Sequence, residues 1–244
     1  MKKVYISLIA SSLLFGYYGK VEPYETYNIK ADVSGKVIDV NKSAEATSYK
    51  GIVIKIDDYQ NKVDLKNLKN QLKNLETILQ AQKEILEKKK KTYEIYKNLK
   101  TKSQMDKDLK FYDYQNSLIT YNQTKNNISN IQSQIAKLQD TISKKTIRFK
   151  NYIYSINVNK GDYVNFSTPI ATTMKIDKVK IDIFVPINKI ESIKHKMIYI
   201  NKKVTNFKID KIYKVADSKY VTSYKVELVG NYPVISDIVE VTFK

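Results

Sequence analysis

The chain has 244 residues, of which 42% are hydrophobic, enough for small folded cores and too few for a protein with many membrane spans. It contains no Cys, which excludes a disulfide, a thiolate zinc site and a Cys nucleophile. The formal net charge is +18, but the lysines are dispersed and Arg148 is the only arginine. We therefore interpret the positive charge as lysines on solvent-exposed faces of the protein. Binding to nucleic acid or to an anionic membrane is the alternative.

Residues 1–19 are predicted to be an export signal or an N-terminal membrane anchor. Lys2 and Lys3 precede an uncharged, mostly apolar run of 15 residues, Val4–Tyr18. That length matches the core of a signal peptide and is shorter than the roughly 20 residues of a membrane span. A buried N-terminal helix is the alternative.

Residues 52–160 contain neither Gly nor Pro, and most of this stretch is predicted to be helical. Apolar residues recur in it with heptad spacing, which keeps one helix face against a partner helix. Ten of them are predicted to form the seam of a helical hairpin: Leu65, Leu68, Leu72, Leu75 and Leu79 on one arm, and Ile128, Ile131, Ile135, Leu138 and Ile142 on the other.

Polar residues interrupt this stripe in the middle of the segment. They occupy four successive positions where the stripe should continue: Lys100, Ser103, Lys107 and Lys110. Ser103 and Asp106 are also good helix N-cap residues. We therefore predict a turn near Thr101–Asp106 between arms Asp58–Lys100 and Asp106–Lys145, each about 60 Å long. Because the heptad phase does not shift there, one continuous helix that pairs in an oligomer is the alternative.

Segments with β-branched and alternating residues flank the helices and are predicted to be strands. Two precede the helices, Tyr27–Val40 and Gly51–Ile56. The others follow them: Tyr152–Val158, Pro169–Met174, Val179–Val185, Met197–Ile200, Phe207–Tyr213, Tyr220–Val229 and Ile238–Phe243.

Two of these strand regions carry similar motifs on either side of the helices. The first comprises Val33–Val40 and Lys50–Asp57, and the second Tyr152–Val164 and Pro169–Ala171. Lys180–Pro186 follows, with a short helix predicted at 187–193. In this order the motifs resemble the HlyD-like membrane fusion, or periplasmic adaptor, family.

The resemblance implies an elongated α+β fold with a split lipoyl-like β-domain, interrupted by a long antiparallel α-helical hairpin and followed by a small β-barrel domain. The expected bounds are 27–57 and 147–176 for the two lipoyl-like halves, 58–146 for the hairpin and 177–244 for the barrel.

The resemblance also implies a function without catalysis or a cofactor. The expected role is a periplasmic adaptor that links an inner-membrane transporter, of RND or ABC type, to an outer-membrane TolC-like channel, as a homo-oligomer of six copies. The hairpin tip is expected to dock on the channel through Leu99, Lys102, Ser103 and Asp106. Ile95 stands where the family has Arg, and Asp106 where it has Ser. A coiled-coil spacer of the cell envelope without a pump is the alternative function.

An enzymatic function finds no support in the sequence. His195 is the only histidine, so a Ser–His–Asp triad or a histidine-rich metal site would have to be built around it. No phosphate-binding loop, dinucleotide-binding glycine motif or zinc-protease motif occurs.

Overall fold

The computed structural model describes residues 16–216 and 220–244 as an α+β fold with a long pair of helices and two sheets. The helices are α1 (Tyr59–Asn98), α2 (Gln104–Lys144) and the short α3 (Ile190–Ile193). The strands before the helix pair are β1 (Tyr17–Lys30), β2 (Gly35–Val40), β3 (Thr47–Ser48) and β4 (Gly51–Ile56). Those after it are β5 (Thr146–Phe149), β6 (Tyr152–Ile156), β7 (Tyr163–Val164), β8 (Pro169–Pro186), β9 (Ile198–Ile200), β10 (Lys203–Val204), β11 (Lys208–Tyr213), β12 (Ser223–Gly230) and β13 (Ile238–Phe243).

Helices α1 and α2 pack against each other as a hairpin, so the chain turns back and is not one continuous helix. The five residues between them, 99–103, form the turn. None of the helices within the described ranges has both the length and the apolar character needed to cross a membrane.

The β-structure next to the hairpin is built from both sides of it, and we call it the proximal unit. One sheet has the strand order β5-β4-β2-β7, and β3 pairs with β6, which in turn pairs with β8. Its core contains buried residues from before the helices, such as Val37 and Ile54, and from after them, such as Ile153 and Val164. The two halves therefore share one core although the hairpin separates them in sequence.

Two glycines fit the places where the halves of the proximal unit meet. Gly161 has φ +101°, a backbone conformation that favours glycine, and its N–H donates to the carbonyl of Val37 at 2.8 Å. A Cβ on Gly35 would lie 2.6 Å from the Cγ2 atom of Ile56, so a larger residue would push β2 away from β4.

Lys145 closes the base of the hairpin. Its ammonium group donates to the carbonyl of Asp57 and to the side-chain oxygen of Asn61, each at 2.6 Å, and its carbonyl accepts from the N–H of Ile56 at 2.8 Å. These bonds join the start of α1 to the end of α2, so both helices leave the proximal unit at one point.

The second body of β-structure, which we call the distal unit, lies beyond the proximal unit along β1 and β8. Its strands follow the order β10-β9-β13-β1-β8-β12-β11. Fully buried Val21, Ile181, Val226, Leu228 and Val241 lie in its core. Strand β1 pairs with β13 at residues 17–20 and with β8 from there to Lys30, so β1 and β8 run through both units.

These two long strands differ from the sequence prediction. The expected boundary at 176/177 lies inside β8, which continues where two separate strands were predicted: Lys175 lies opposite Glu25 and Val179 opposite Pro23, with a bulge between these two pairs. Residues 1–15 of the expected leader lie outside the described residues. Its last part, Tyr17–Gly19, is the start of β1, where Tyr17 packs edge-on against Phe243.

Candidate functional site

The tip of the hairpin is a tight turn held by its own side chains. Ser103 is the N-cap of α2: its hydroxyl oxygen accepts from the N–H of Asp106 at 3.2 Å and donates to the Asp106 carboxylate at 2.9 Å. This satisfies a helix N–H that would otherwise lack a partner, and the carboxylate lies at the positive end of the helix dipole. These two hydrogen bonds therefore hold the turn in place, although it is exposed to solvent.

Two lysines hold the ring of Tyr96 beneath this turn. The ammonium group of Lys102 lies 5.3 Å from the ring centre and that of Lys110 lies 5.7 Å from it. Both distances are within the range of cation–π attraction. Lys110 lies at a seam position of α2, so here a lysine stem and an aromatic ring take the place of an aliphatic layer.

The structure gives the four predicted docking residues different roles. Ser103 and Asp106 bond to each other, and Lys102 covers Tyr96, so these three shape the turn. Leu99 is the C-cap of α1, with its N–H donating to the carbonyl of Tyr96 at 3.2 Å, and the residue is 39% exposed. Of the four, Leu99 is the apolar residue, and part of its surface is open to solvent.

Three further apolar residues near the turn extend that surface. Met105 is 73% exposed, and Ile95 and Leu109 are each more than half exposed. Sequence reasoning missed Met105 and Leu109 because only the seam was traced by its heptad spacing. Their signal was an apolar side chain at a position outside the seam, close to the predicted turn.

The ten residues predicted for the seam are all at least half-buried, which fits positions on the facing sides of α1 and α2. Ile128 and Ile135 are buried, and the other eight are half-buried. A two-helix seam leaves one flank open to water, which accounts for the partial burial. This aliphatic part of the seam is the half of the hairpin next to the proximal unit.

The middle of the seam is polar. Gln82 and Lys89 occupy seam positions on α1 and face Asn116, Ser117 and Thr120 on α2 across a groove of about 180 Å³. The side-chain oxygen of Gln82 is buried and has no hydrogen-bond partner within residues 16–216 and 220–244. Polar side chains thus replace aliphatic ones at this level of the hairpin.

Toward the tip the seam becomes aromatic. The ring of Tyr93 stacks on that of Tyr114 with centres 6.1 Å apart and meets the ring of Phe111 at 5.4 Å. Such ring pairs contribute beyond the area that they bury. The aromatic layer fixes which residues of α1 and α2 lie at the same height, and it supports the turn above it.

No group of three or more His, Cys, Asp or Glu side chains that could hold a metal ion occurs in the described part of the chain. The tip presents exposed apolar side chains together with exposed lysines.

The comparisons with known proteins place the fold among solved structures. No protein-family model matches the sequence, and no curated protein matches it significantly. The crystal structure of MacA from Actinobacillus actinomycetemcomitans is similar, with a TM-score of 0.75 at 18% identity over 94% of this chain and 78% of MacA. The membrane fusion protein Spr0693 from Streptococcus pneumoniae R6 has a TM-score of 0.62 at 9% identity over 96% of this chain and 98% of its own.

A third similar structure is a MacA–MexA chimera that contains the Pseudomonas aeruginosa MexA α-hairpin domain. Its TM-score is 0.57 at 19% identity, over 94% of this chain and 78% of the chimera. The chain has the fold of membrane fusion proteins. At sequence identities this low, the similarity shows a shared fold only. The matched length includes the hairpin and both β-units.

Proposed function

We propose that the chain is a periplasmic adaptor of the HlyD-like membrane fusion family, which links an inner-membrane transporter to an outer-membrane channel in an efflux or secretion system. The observation that carries the proposal is the fold-back of the chain into a rod-like hairpin, with strands from before and after the two helices paired in one β-unit. A rod anchored in this way holds its tip at a fixed distance from the β-units.

The proposed mechanism is mechanical. Several copies stand side by side, with the proximal unit as a lipoyl-like domain and the distal unit as a small barrel near the inner membrane. The hairpins extend toward the outer membrane, and substrate passes through the space that they enclose. The tip surface of Leu99, Met105 and Leu109 makes the contact with the channel, because exposed apolar side chains on a rigid turn provide area for binding at low entropic cost.

The charges near the tip set the chemistry of this contact. Lys97, Lys100 and Lys102 are exposed around the apolar residues, so a channel surface that combines apolar and acidic side chains fits best. Shielding by salt is expected to weaken such a contact.

Site-specific photo-crosslinking in intact cells tests the proposal. A benzophenone amino acid at Met105 is expected to crosslink to an outer-membrane channel, whereas the same group at Gln132, exposed near the hairpin base, is not. A third position in the distal unit, Val204, which is 63% exposed, is expected to crosslink to an inner-membrane transporter.

Mass spectrometry identifies each crosslinked partner. Products from Met105 that contain no outer-membrane channel, or equal channel crosslinking from Gln132, would overturn the proposed role. A Leu99→Asp/Met105→Asp chain serves as a second measurement: transport is expected to fall at least about tenfold while the helical circular-dichroism signal is kept.

A further inference from the structure

A cleft of about 810 Å³ lies where the proximal and distal units meet. The residues that line it come from β1, β8 and β6 and from the loop between β12 and β13. Its volume lies within the range of about 300–1,000 Å³ that is typical of small-molecule sites. We call it the junction cleft, and the hairpin contributes no residue to its lining.

Main-chain hydrogen bonds hold the loop that borders the junction cleft. The N–H of Ser236 donates to the carbonyl of Val21 at 2.7 Å, and the N–H of Val21 donates to the carbonyl of Asp237 at 2.8 Å. These bonds fix the loop to β1, so the cleft is bordered by backbone that is already in place. A preformed cleft of this kind lowers the entropic cost of binding a ligand.

Most side chains that line the junction cleft are aliphatic or aromatic. They are Val21, Pro23, Tyr152, Tyr154, Met174, Ile176, Pro233 and Ile235. Met174 lies in the middle of this surface, opposite Thr26 on β1 and opposite Tyr152 on β6. Tyr154 is 60% exposed, so its ring is open to a ligand. The cleft can therefore bury the apolar body of a small molecule.

The charged groups of the junction cleft are two lysines, Lys20 and Lys180, and one carboxylate, that of Glu22. Neither ammonium group has a hydrogen bond or an ion pair with another residue in the described parts of the chain. Glu22 lies opposite Lys180 in the pairing of β1 with β8. Asp182, two residues beyond Lys180, is already paired with Lys225 at 2.6 Å. The lining thus has a net positive charge, which favours an anionic ligand.

We propose that the junction cleft binds a small amphipathic anion. Its apolar body packs on the aliphatic and tyrosine side chains, and its anionic head lies near Lys20 and Lys180. The occupant is a free molecule, because the lysines and the apolar side chains line the same cleft, whereas a lipid in a bilayer would present only its headgroup. This inference goes beyond the adaptor role and does not depend on it.

Calorimetric titration of the purified full-length chain with dodecanoate tests the proposal. Saturable binding of one dodecanoate per chain is expected. The Lys20→Gln/Lys180→Gln chain should bind at least about tenfold more weakly, because charge-assisted hydrogen bonds to the carboxylate are lost. The control is Lys30→Gln/Lys36→Gln, which removes the same charge at exposed positions outside the cleft and should leave the affinity unchanged. No saturable binding, or equal weakening in both chains, would overturn the proposal.

The sign of the ligand's charge gives a second readout. Dodecyltrimethylammonium has the same alkyl chain with a cationic head, and it should bind at least about tenfold more weakly than dodecanoate. Glu22→Gln should strengthen dodecanoate binding by about threefold, because it removes a like charge from the cleft. Equal affinity for the two ligands would contradict the assignment of the lysines as the head-binding groups.

The apolar part of the cleft and the source of the ligand are tested separately. Tyr154→Ser should weaken dodecanoate binding, whereas Tyr163→Ser, at a 68% exposed position outside the cleft, should not. Binding to phosphatidylglycerol vesicles without binding of dodecanoate would show that the lysines meet a membrane, and would refute a free ligand. All these measurements use the isolated chain, so their failure is distinct from failure of the adaptor role, which the benzophenone at Met105 reports.

Discussion

Gln82 lies in the seam of the hairpin between the layers of Leu79 and Leu86, where a heptad repeat calls for an apolar side chain. Its buried oxygen has no partner within residues 16–216 and 220–244, and an unsatisfied buried polar group costs about 1–3 kcal/mol. A polar seam residue also disfavours other registers, because sliding α2 along α1 would place it against aliphatic layers. We interpret Gln82 as a residue that lowers the stability of the hairpin but favours one alignment of α1 with α2.

Replacing this side chain tests that interpretation. Gln82→Leu is expected to raise the free energy of unfolding by about 1–2 kcal/mol, since it removes the unsatisfied amide oxygen and keeps nearly the same volume. Urea unfolding followed by circular dichroism measures the change. Gln71→Leu, an exposed position outside the seam, is the matched control and should alter stability by less than about 0.5 kcal/mol. Unchanged or reduced stability in Gln82→Leu would contradict the interpretation.

At the scale of the element, the register of the hairpin, meaning which residues of α1 lie opposite which residues of α2, can be tested with a disulfide bond. Leu72 and Ile135 are each three heptads from Tyr93 and Tyr114, whose rings stack across the seam. Because the heptad is unbroken on both helices, Leu72 and Ile135 have the same relation to each other as those tyrosines. The aliphatic half of the seam should therefore bring these two residues together.

A Leu72→Cys/Ile135→Cys chain is accordingly expected to form a disulfide within one chain. Mild oxidation should speed its migration on a non-reducing denaturing gel and lower its mass by two hydrogens. A Leu72→Cys/Ser133→Cys chain, whose second cysteine lies on the exposed side of α2, is the control and should stay reduced. Disulfides only between chains would show that the seam joins different copies.

The sequence predicts the helices better than the strands, for physical reasons. Heptads and the lack of Gly and Pro define α1 and α2 to within two residues at each end, because those signals are local. Strand β8 is harder, since the sequence predicts two strands there, Pro169–Met174 and Val179–Val185, whereas the structure joins them across a bulge in the pairing with β1. At the tip, the N-cap at Ser103 can be predicted from residue type alone. The exposure of Met105 cannot, because it depends on where the helices cross.

At the scale of the whole molecule, β1 and β8 make the proximal and distal units parts of one body, while each unit keeps its own core. Val241 on β13 is fully buried in the distal core and lies opposite Tyr17 of β1. The distal unit thus depends on contact between strands from the two ends of the described chain. The proximal unit does not contain β13 and keeps its own contacts.

Val241→Asp is therefore expected to unfold the distal unit selectively. A carboxylate buried without a partner costs more than about 4 kcal/mol, a large part of the stability of such a unit. Hydrogen exchange should show lost protection in β9, β12 and β13, with protection kept in β2, β4 and the hairpin. The control is Ile238→Asp, on the same strand but 71% exposed, which should leave exchange unchanged. Loss of protection throughout the chain would mean that the two units unfold together.

The pairing of β1 with β13 also sets an order of events during synthesis. Residues 17–20 of β1 are synthesised more than 200 residues before their partner strand, β13. Until then β1 keeps one edge unpaired at that end, an edge that can recruit strands from other nascent chains. The helical hairpin, whose contacts are closer in sequence, can form earlier. A holding chaperone would therefore find its target in β1 for most of the time that a ribosome spends on this protein.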